Sequence, residues 1–533
     1  MSFQEIVTKE YRPIVLMIMD GWGINASLEG NAIAGAKIPN VNFLKGNYPC
    51  IALQASGISV GLSWGEPGNS EVGHMTIGSG MILYQNLPRI NLSIQNGTFF
   101  SNPAYLKAMD HVKQKGSALH LMGLVSNGGV HSHVDHLFAL IEMAISQGVS
   151  KIFIHAFTDG RDTSPNSAEG FVEMLQEKLK EMGKGQIASI GGRYYGMDRN
   201  KSFDRIEKAY KSMIGTSEKK ATDPLAVIKE SYNQNVTDEF IEPTVLVDEK
   251  GEPVGPVRAG DAIIFFNFRE DRARQIAKAF TQEDFSDFPR GEKIKDLLFI
   301  STVDYDESLG LEVAFPPQRV VNPLSKVISD TGKTQFHIAE TEKYAHVTYF
   351  FNGGREEAFP GEERVLVPSP QVSSYESVPE MSAAEVTEKV LAAISSQKYD
   401  FILINYANAD MLGHTGNFEV TVKAVEAVDK CVGFVTKAVL NQGGALLITA
   451  DHGNAEVMMD PKTGEKITEH SANPVPCFFV TPDNKKERTE NQILRHQSMV
   501  DGMLVDLAPT ILSLMNIPVP KDIVGNSLLD ALR

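Results

Sequence analysis

The chain has 533 residues, of which 42% are hydrophobic and 22% charged. A chain of this length is too long to fold around a single hydrophobic core, so we expect two or more domains. The composition excludes a disordered protein. The formal net charge of −17 disfavours binding to nucleic acid or to an anionic membrane, unless a local basic patch overrides the average.

The three cysteines are too far apart and odd in number to form a disulfide framework or a thiolate metal site; they are Cys50, Cys431 and Cys477. The N-terminal segment MSFQEIVTKEYRP lacks the apolar core of a signal peptide. No apolar run approaches the roughly 18 residues that span a bilayer. We therefore expect a cytoplasmic protein without membrane association.

Short apolar runs that end in polar or Gly-rich turns recur along the chain. They are rich in Ile, Leu, Val and Phe without regular alternation, which is typical of strands buried on both faces. The runs are PIVLMIMDGWG, ALHLMGLVSNGG, KIFIHAFTDGRD, DAIIFFNFRED, DLLFISTVDYD, DFILINYANAD, GALLITADHGN and CFFVTPD.

Helical patterns lie between these runs, as in residues 382–397 and 417–444, and the second pattern ends at a Gly-Gly pair suited to stop a helix. Alternating strands and helices predict an α/β fold with largely parallel sheets. Segments 84–93 and 312–323 each carry Pro and are candidate linkers.

Aspartate and histidine residues follow several of the predicted strands, where open α/β sheets bind their ligands. Each residue alone would be read as a surface carboxylate or a satisfied histidine, but together they predict a metal site. Oxygen and imidazole donors without thiolate suit Mn²⁺ or Zn²⁺. The residues are Asp20, Asp451 and His452 at strand ends, Asp410 and His414 four residues apart, and His470 in an irregular stretch.

Ser70, in PGNSEVGHMTIG, is a candidate nucleophile or a helix cap. A divalent ion would lower the pKa of its hydroxyl, and a helix N-terminus there would favour negative charge. Both roles are compatible in one residue.

Arginines cluster next to predicted strands in this acidic chain. Guanidinium groups bind carboxylate or phosphate through two parallel hydrogen bonds, which predicts a site for an anionic substrate. We expect Arg274 to lie on a solvated face, whereas the site would use Arg161 with Asp162, Arg193, Arg199, Arg269 and Arg272.

Two other motifs predict different chemistry. GLSWG at 61–65 matches the esterase elbow, but GEPGN follows where that motif requires a helix. HSHVDH at 131–136 matches metallo-β-lactamase-like hydrolases and would build a dinuclear site from His131, His133, Asp135 and His136. The second reading leaves the aspartates and histidines at the strand ends unexplained.

Nine motifs in order make the chain similar to the cofactor-independent phosphoglycerate mutases, from about residue 12 to the C-terminus. They are DGWG, GNSEVGH, SNGGVHSHVDH, TDGRD, GGRYYGMDR, FNFREDR, AETEKYAHVTYFFNGG, NADMLGHTG and TADHGNAE. One departure is Asn127, where many members of the family have Asp.

The resemblance implies an alkaline-phosphatase-like metal domain at 1–84 and 318–533, interrupted by an inserted phosphotransferase and substrate-binding domain at 85–317. It implies interconversion of 3-phosphoglycerate and 2-phosphoglycerate, in glycolysis and gluconeogenesis, through a phosphoserine at Ser70. It also implies a monomer whose partner is this small-molecule substrate.

The resemblance also implies roles for individual residues. Two Mn²⁺ ions, or Zn²⁺ or Co²⁺, would be held by Asp410, His414 and His470 and by Asp20, Ser70, Asp451 and His452. Phosphoglycerate would contact His131, Arg161, Asp162, Arg193, Arg199, Arg269, Arg272 and Lys343. Asp162 is the candidate acid and base, and His131 is expected either to share that role or only to bind.

Two alternatives for the function stay open. A phosphatase or phosphopentomutase of the same superfamily would share the metal site, and a phosphatase would release phosphate. A non-catalytic metal-binding scaffold would keep the fold, although the intact Ser70 disfavours it.

Overall fold

The structure is a computed structural model that describes residues 10–532; at 495–498 it describes the course of the helix and not the side chains. The predicted lack of a signal peptide rests largely on residues 1–9, which lie outside this range. In the part of the chain that the structure describes, none of the helices has the length and apolar character needed to cross a membrane.

Sixteen strands are described in residues 10–532, and most are buried on both faces. In chain order they are β1 Ile14–Met19, β2 Cys50–Gln54, β3 Leu119–Leu124, β4 Ile152–Thr158, β5 Gln186–Gly192, β6 Lys220–Ala221, β7 Thr244–Leu246, β8 Ala262–Phe265, β9 Leu298–Ser301, β10 Glu312–Val313, β11 Gln335–Glu340, β12 Glu362–Val367, β13 Phe401–Tyr406, β14 Ala445–Thr449, β15 Val475–Val480 and β16 Val500–Met503.

Seventeen α-helices of the described chain connect and cover these strands. They are α1 Ala32–Gly35, α2 Pro39–Asn47, α3 Ser70–Ser79, α4 Asn86–Gln95, α5 Pro103–Lys115, α6 Val134–Ser146, α7 Ala168–Met182, α8 Arg193–Gly196, α9 Phe203–Met213, α10 Pro224–Asn233, α11 Arg274–Thr281, α12 Leu324–Asp330, α13 Ala383–Ser396, α14 Asn408–Gly413, α15 Phe418–Asn441, α16 Glu490–Ser498 and α17 Leu507–Leu514.

The chain divides into two compact units, the first formed by residues 1–85 and 318–533 and the second by residues 86–317. Each unit contains one eight-stranded sheet and its own hydrophobic core. The α/β class with largely parallel sheets, predicted from the sequence, is confirmed.

The sheet of the first unit has the order β12-β11-β13-β1-β14-β15-β2-β16. Strands β12 to β14 in this order run parallel, and only β15 is antiparallel to both of its neighbours. The carboxyl ends of β13, β1 and β14 therefore lie side by side, so the loops that follow them meet at one edge of the sheet.

The sheet of the second unit has the order β10-β9-β8-β3-β4-β5-β7-β6. Strands β10 to β5 in this order are parallel, and β7 is antiparallel to β5. The carboxyl ends of β8, β3, β4 and β5 form the second edge at which functional loops gather.

Each of the eight predicted apolar runs contains a strand, and both predicted helices form, as α13 and α15. Helix α15 ends at Asn441, and Gly443 then takes a φ of +71°. The boundaries between the two units, at 85/86 and 317/318, fall within the candidate linkers 84–93 and 312–323, although residues 86–95 form α4. Pro88 is compatible with that helix because it lies in the first turn, where its missing N–H leaves no hydrogen bond unmade.

Glu340 ends β11 as a buried carboxyl group that accepts a hydrogen bond from Ser369 Oγ at 2.9 Å. Burial raises its pKa from about 4.5 to about 7, against the opposing effect of the Ser369 bond. Between these values the folded protein keeps a proton that the unfolded chain releases, so this group lowers stability as pH rises.

We expect Glu340→Gln to be more stable than the wild type at pH 8, by up to roughly 3 kcal/mol, with little difference at pH 4.5. Urea unfolding with a chelator present at both pH values measures the change. Glu363→Gln, at a half-exposed position on the adjoining β12, is the matched control and should lack this pH dependence. A gain for Glu340→Gln that is equal at both pH values would contradict the prediction.

Candidate active site

Three carboxylates lie at the carboxyl ends of adjacent strands in the first unit. Asp20 follows β1, Asp451 follows β14, and Asp410 lies in α14 after β13, and all three are almost fully buried. Gly21 permits this approach: it has a φ of +74°, and a Cβ there would lie 2.7 Å from the Cα of Asp410. The turn after β1 can therefore pass directly against α14.

Ser70 is the first residue of α3, and its Oγ lies 3.1 Å from Asp20 Oδ1 and 3.0 Å from His452 Nε2. The cap of this helix is Asn69, whose side chain accepts a hydrogen bond from the Val72 amide at 2.9 Å. The hydroxyl of Ser70 is therefore free of the capping role and points to the carboxylates.

His414 and His470 direct the same ring nitrogen inward. The Nδ1 atoms donate to the carbonyl oxygens of Thr468 and Gly68, each at 2.8 Å. This leaves an Nε2 lone pair on each ring, and the two Nε2 atoms are 3.0 Å apart and 3.3 and 3.1 Å from Asp410 Oδ1. Ring orientation by a backbone carbonyl is typical of metal-ligating histidine, and a divalent cation would satisfy all three donors.

His452 repeats this arrangement, with Nδ1 donating to the Gly453 carbonyl at 3.2 Å. Burial opposes its protonation, but the Asp451, Asp20 and Asp410 carboxylates outweigh burial and raise the pKa of His452 to about 10. Asp451 Oδ2 is buried and has no hydrogen-bond partner in the described chain. The cluster is therefore short of positive charge, and its donors fit divalent metal ions.

Lys343 lies in this cluster, in the first unit, and not among the arginines with which the resemblance grouped it. Its Nζ is 2.7 Å from Asp20 Oδ1, 2.6 Å from Asp410 Oδ2 and 2.6 Å from Ser70 Oγ. Burial opposes its charge, but the Asp20 and Asp410 carboxylates raise the pKa of Lys343 above its usual value. The ammonium thus offsets part of the negative charge and donates a hydrogen bond to Ser70.

Two buried residues of this site were not found from the sequence. Asn405 Nδ2 donates to Asp20 Oδ2 at 2.7 Å and to His74 Nε2 at 3.1 Å. His74 Nδ1 donates to the Ser70 carbonyl at 2.8 Å and lies 3.2 Å from Asp451 Oδ2. His74 lies close enough to Asp20 and Asp451 to share a metal ion with them, but both of its ring nitrogens already have hydrogen-bond partners, so we assign it a positioning role. Its spacing of four residues from Ser70 was the available signal, since such residues share a helix face.

The second unit gathers arginines at the carboxyl ends of its strands. Arg193 opens α8 after β5 and is 2% exposed. Its Nη1 pairs with Asp159 Oδ1 at 2.7 Å and Asp162 Oδ2 at 2.5 Å, both in the turn after β4. Asp162 is thereby fixed beside a guanidinium group.

Asp271 joins three of the predicted residues in the second unit. It lies 2.9 Å from Arg199 Nη1, 3.2 Å from Arg269 Nε and 3.7 Å from His131 Nδ1. Asp159 and Asp271 lie within the motifs TDGRD and FNFREDR, but the sequence alone indicated no role for either of them. Both act as anchors, because each holds an arginine in a fixed position.

The remaining arginines differ in their surroundings. Burial lowers the pKa of Arg272, and the charges of Arg193, Arg199 and Arg161 lower it further. Arg161 is half-exposed and lies 3.5 Å from Glu239 Oε1. Arg274 is exposed, as expected of a residue on a solvated face, and donates from Nε to the Tyr305 carbonyl at 2.7 Å.

The two competing motifs do not form their predicted sites. Within HSHVDH, His136 Nε2 bonds Asn91 Oδ1 at 2.7 Å and His133 Nδ1 accepts from the Asp135 amide at 3.3 Å. Among the described residues, the groups close enough to share a metal ion belong to the first unit. In GLSWG, no helix directly follows Ser63, and the next one begins at Ser70.

The first unit thus holds a buried serine hydroxyl with a metal-binding donor set, and the second unit holds an arginine cluster, as expected of a metal-assisted enzyme that acts on an anionic substrate. The family model described as BPG-independent PGAM N-terminus matches residues 90–307. The 2,3-bisphosphoglycerate-independent phosphoglycerate mutase 1 of Methanosarcina barkeri is 49% identical, over 98% of this chain and 99% of its own length. The corresponding mutase of Clostridium novyi is also 49% identical, over 97% and 99%.

Among solved structures, a phosphoglycerate mutase from Leishmania mexicana at low cobalt concentration is 30% identical with a TM-score of 0.50, and 97% of each chain is covered. The chain belongs to the family of 2,3-bisphosphoglycerate-independent phosphoglycerate mutases.

Removing one carboxylate should separate metal binding from folding. We expect Asp451→Asn to weaken Mn²⁺ binding at least about tenfold, because the variant loses a charged donor at the cluster. Isothermal titration of the chelated protein with Mn²⁺ measures this change.

Asp429→Asn is the matched control for this experiment. Asp429 is also a buried carboxylate of the first unit, but it accepts hydrogen bonds from Asn40 and Val41 at the start of α2. This variant should lose stability and keep its Mn²⁺ affinity. Equal affinities in Asp451→Asn and the wild type would remove Asp451 from the metal site.

Proposed function

We propose that this protein interconverts 3-phosphoglycerate and 2-phosphoglycerate by passing the phosphoryl group through Ser70. The observation that carries the proposal is the position of the Ser70 hydroxyl, which lies within 3.1 Å of Asp20, His452 and Lys343. Membership of the mutase family supports the same reaction.

We infer two divalent ions per chain, with Mn²⁺ as the first choice and Zn²⁺ or Co²⁺ as substitutes. One would be held by Asp410, His414 and His470, and the other by Asp20, Ser70, Asp451 and His452. When bound, the ions would neutralise phosphoryl oxygens and lower the pKa of the Ser70 hydroxyl. The inward Nε2 atoms, and the buried Asp451 Oδ2 that accepts no hydrogen bond from the described residues, support this assignment.

The protein's own groups account for the rest of the reaction. Ser70 would enter the reaction as the alkoxide, with its proton already lost to solvent. Its Oγ forms a bond to phosphorus as the bond to the C3 oxygen of the substrate breaks, and that oxygen takes a proton from Asp162. The phosphoryl group then passes from Ser70 to the C2 oxygen, whose proton returns to Asp162. Positioning and charge neutralisation supply most of the rate enhancement in such transfers.

The arginines of the second unit suit the carboxylate of the substrate, since guanidinium groups bind such groups in a fixed geometry. On this basis residues 1–84 and 318–533 are the metal domain, and residues 85–317 the substrate-binding phosphotransferase domain. We also propose that the enzyme acts in the cytoplasm as a monomer.

Ser70→Ala should lower mutase activity by a factor of roughly a thousand or more, because the variant lacks the oxygen that accepts the phosphoryl group. The same variant should keep most of its Mn²⁺ affinity, since the carboxylates and imidazoles remain. Coupled assay of 2-phosphoglycerate formation, and mass spectrometry of the quenched enzyme for a phosphorylated peptide, measure both steps.

Ser79→Ala, at the other end of α3, is the matched control and should keep normal activity. Full mutase activity in Ser70→Ala would remove Ser70 from the mechanism. Release of phosphate from 3-phosphoglycerate in place of 2-phosphoglycerate would favour a phosphatase.

His131 should stay neutral over the working pH range. Burial and the charge of Arg193 lower its pKa to about 4, against the opposing effect of Asp271 and Asp162. The pKa of His131 in the folded protein is below its unfolded value of about 6.5. This group therefore lowers the stability of the folded protein only as pH falls below about 6.5, where the unfolded chain binds the proton more readily. We therefore expect His131 to bind substrate as a neutral donor or acceptor.

Histidine ring NMR signals measure this directly, with His131→Gln used to assign the resonance. The assigned signal should not titrate between pH 5.5 and 8. A midpoint near 6.5 would show instead that His131 is able to exchange protons during turnover.

A further inference from the structure

A cavity of about 190 Å³ lies in the first unit, beside the loop that follows β1 and helix α2. Its walls are mostly apolar and include Trp22, Ile24, Ile33, Phe478 and Ile493. None of its lining residues belongs to the metal or substrate groups described above. The mechanism therefore leaves this cavity without a role.

The walls of the cavity are fixed before any ligand arrives. Asn31 caps α1 by accepting from the Ala34 amide at 2.9 Å and donates to the Ser27 carbonyl at 2.9 Å. Asn25 Nδ2 donates to the Glu456 carbonyl at 3.1 Å. These amide groups therefore bond to the loop itself, and their hydrogen-bonding capacity is already engaged.

Lys45 is the one charged residue among those that line the cavity. Its ammonium makes no hydrogen bond or ion pair with any residue whose side chain the structure describes, and burial lowers its pKa. The neighbouring Cys50 does not supply a counter-charge, since burial raises the pKa of its thiol to about 12. A position in the last turn of α2 suits a cation but leaves its hydrogen-bonding capacity unused.

We propose that this cavity binds a small carboxylate that carries one aromatic ring or an apolar group of similar size. The ring would pack against Ile24 and Ile493, beside the buried Trp22, and the carboxylate would accept hydrogen bonds from Lys45. An apolar cavity of about 150 Å³ holds benzene, so this one has room for a ring and a short acid arm. A charge-assisted bond to a partly buried ammonium supplies the selectivity for an anion.

The cavity adjoins the loop that carries a metal-site carboxylate. Trp22 is two residues beyond Asp20, and the flanking Gly21 and Gly23 amides donate to Asp451 Oδ1 at 3.4 Å and Glu456 Oε2 at 3.1 Å. A ligand against Trp22 therefore contacts the same short loop that positions Asp20.

The chain has two tryptophans, and Trp64 is 89% exposed. Trp64→Phe makes Trp22 the single reporter of the cavity, and 3-phenylpropionate is the probe. We expect a saturable change in Trp22 emission, and binding at least about tenfold weaker when Lys45→Gln is added. Lys45→Arg should retain binding, and the neutral 3-phenylpropan-1-ol should bind Trp64→Phe as weakly as the acid binds the glutamine variant.

No saturable change, or equal affinity in Lys45→Gln, would overturn the proposal, as would equal affinity for the acid and the alcohol. Unchanged thermal unfolding of Lys45→Gln serves as the control for folding. The measurement needs neither turnover nor phosphoglycerate, so its outcome is independent of the proposed mutase reaction.

Discussion

Three buried carboxylates at the ends of three neighbouring parallel strands are the constraint on which the first unit depends. Desolvating such charges costs several kcal/mol each unless they are paired. Asp20, Asp410 and Asp451 follow β1, β13 and β14, so the strand order itself brings the like charges together. The site can exist only with cations among these groups, and Lys343 supplies one of them.

The hydrogen bonds around this cluster are consistent with that requirement. Three histidine rings each donate a hydrogen bond from Nδ1 to a backbone carbonyl, which turns Nε2 toward the carboxylates; they are His414, His470 and His452. Asn405 holds the far oxygen of Asp20, and His74 fixes the first turn of α3. The serine hydroxyl is thus placed where the negative charge is greatest, and a divalent ion there changes its reactivity most.

The second unit places the opposite charge at the carboxyl-end edge of its own sheet. Its arginines are placed by two aspartates, Asp159 and Asp271, which hold guanidinium groups near one another despite their mutual repulsion. A net charge of −17 therefore conceals a local basic site. Average charge predicts the behaviour of the whole chain, whereas a binding site depends on charges within a few ångströms.

Sequence patterns predicted the parts of the fold whose signal is local. Strands such as β1 and β14 are continuous apolar runs, and α15 is a long amphipathic helix with a glycine stop. Strands β2, β11 and β12 were not predicted, because they lack a long apolar run and owe their structure to pairing with strands distant in sequence. The candidate linker at 84–93 contains the boundary between the units, but helix α4 within it was not predicted, because a proline in a first helical turn resembles a proline in a loop.

By itself, the sequence determined the α/β class, the order of motifs that marks the mutase family, and the residue types of a metal site and an arginine cluster. Only the tertiary structure decided that Asn69 and not Ser70 caps α3, that Lys343 joins the carboxylates, and that His74 supports Ser70. The reason is that these contacts depend on distances and ring orientations, which strand order sets between residues as far apart as Ser70 and His452.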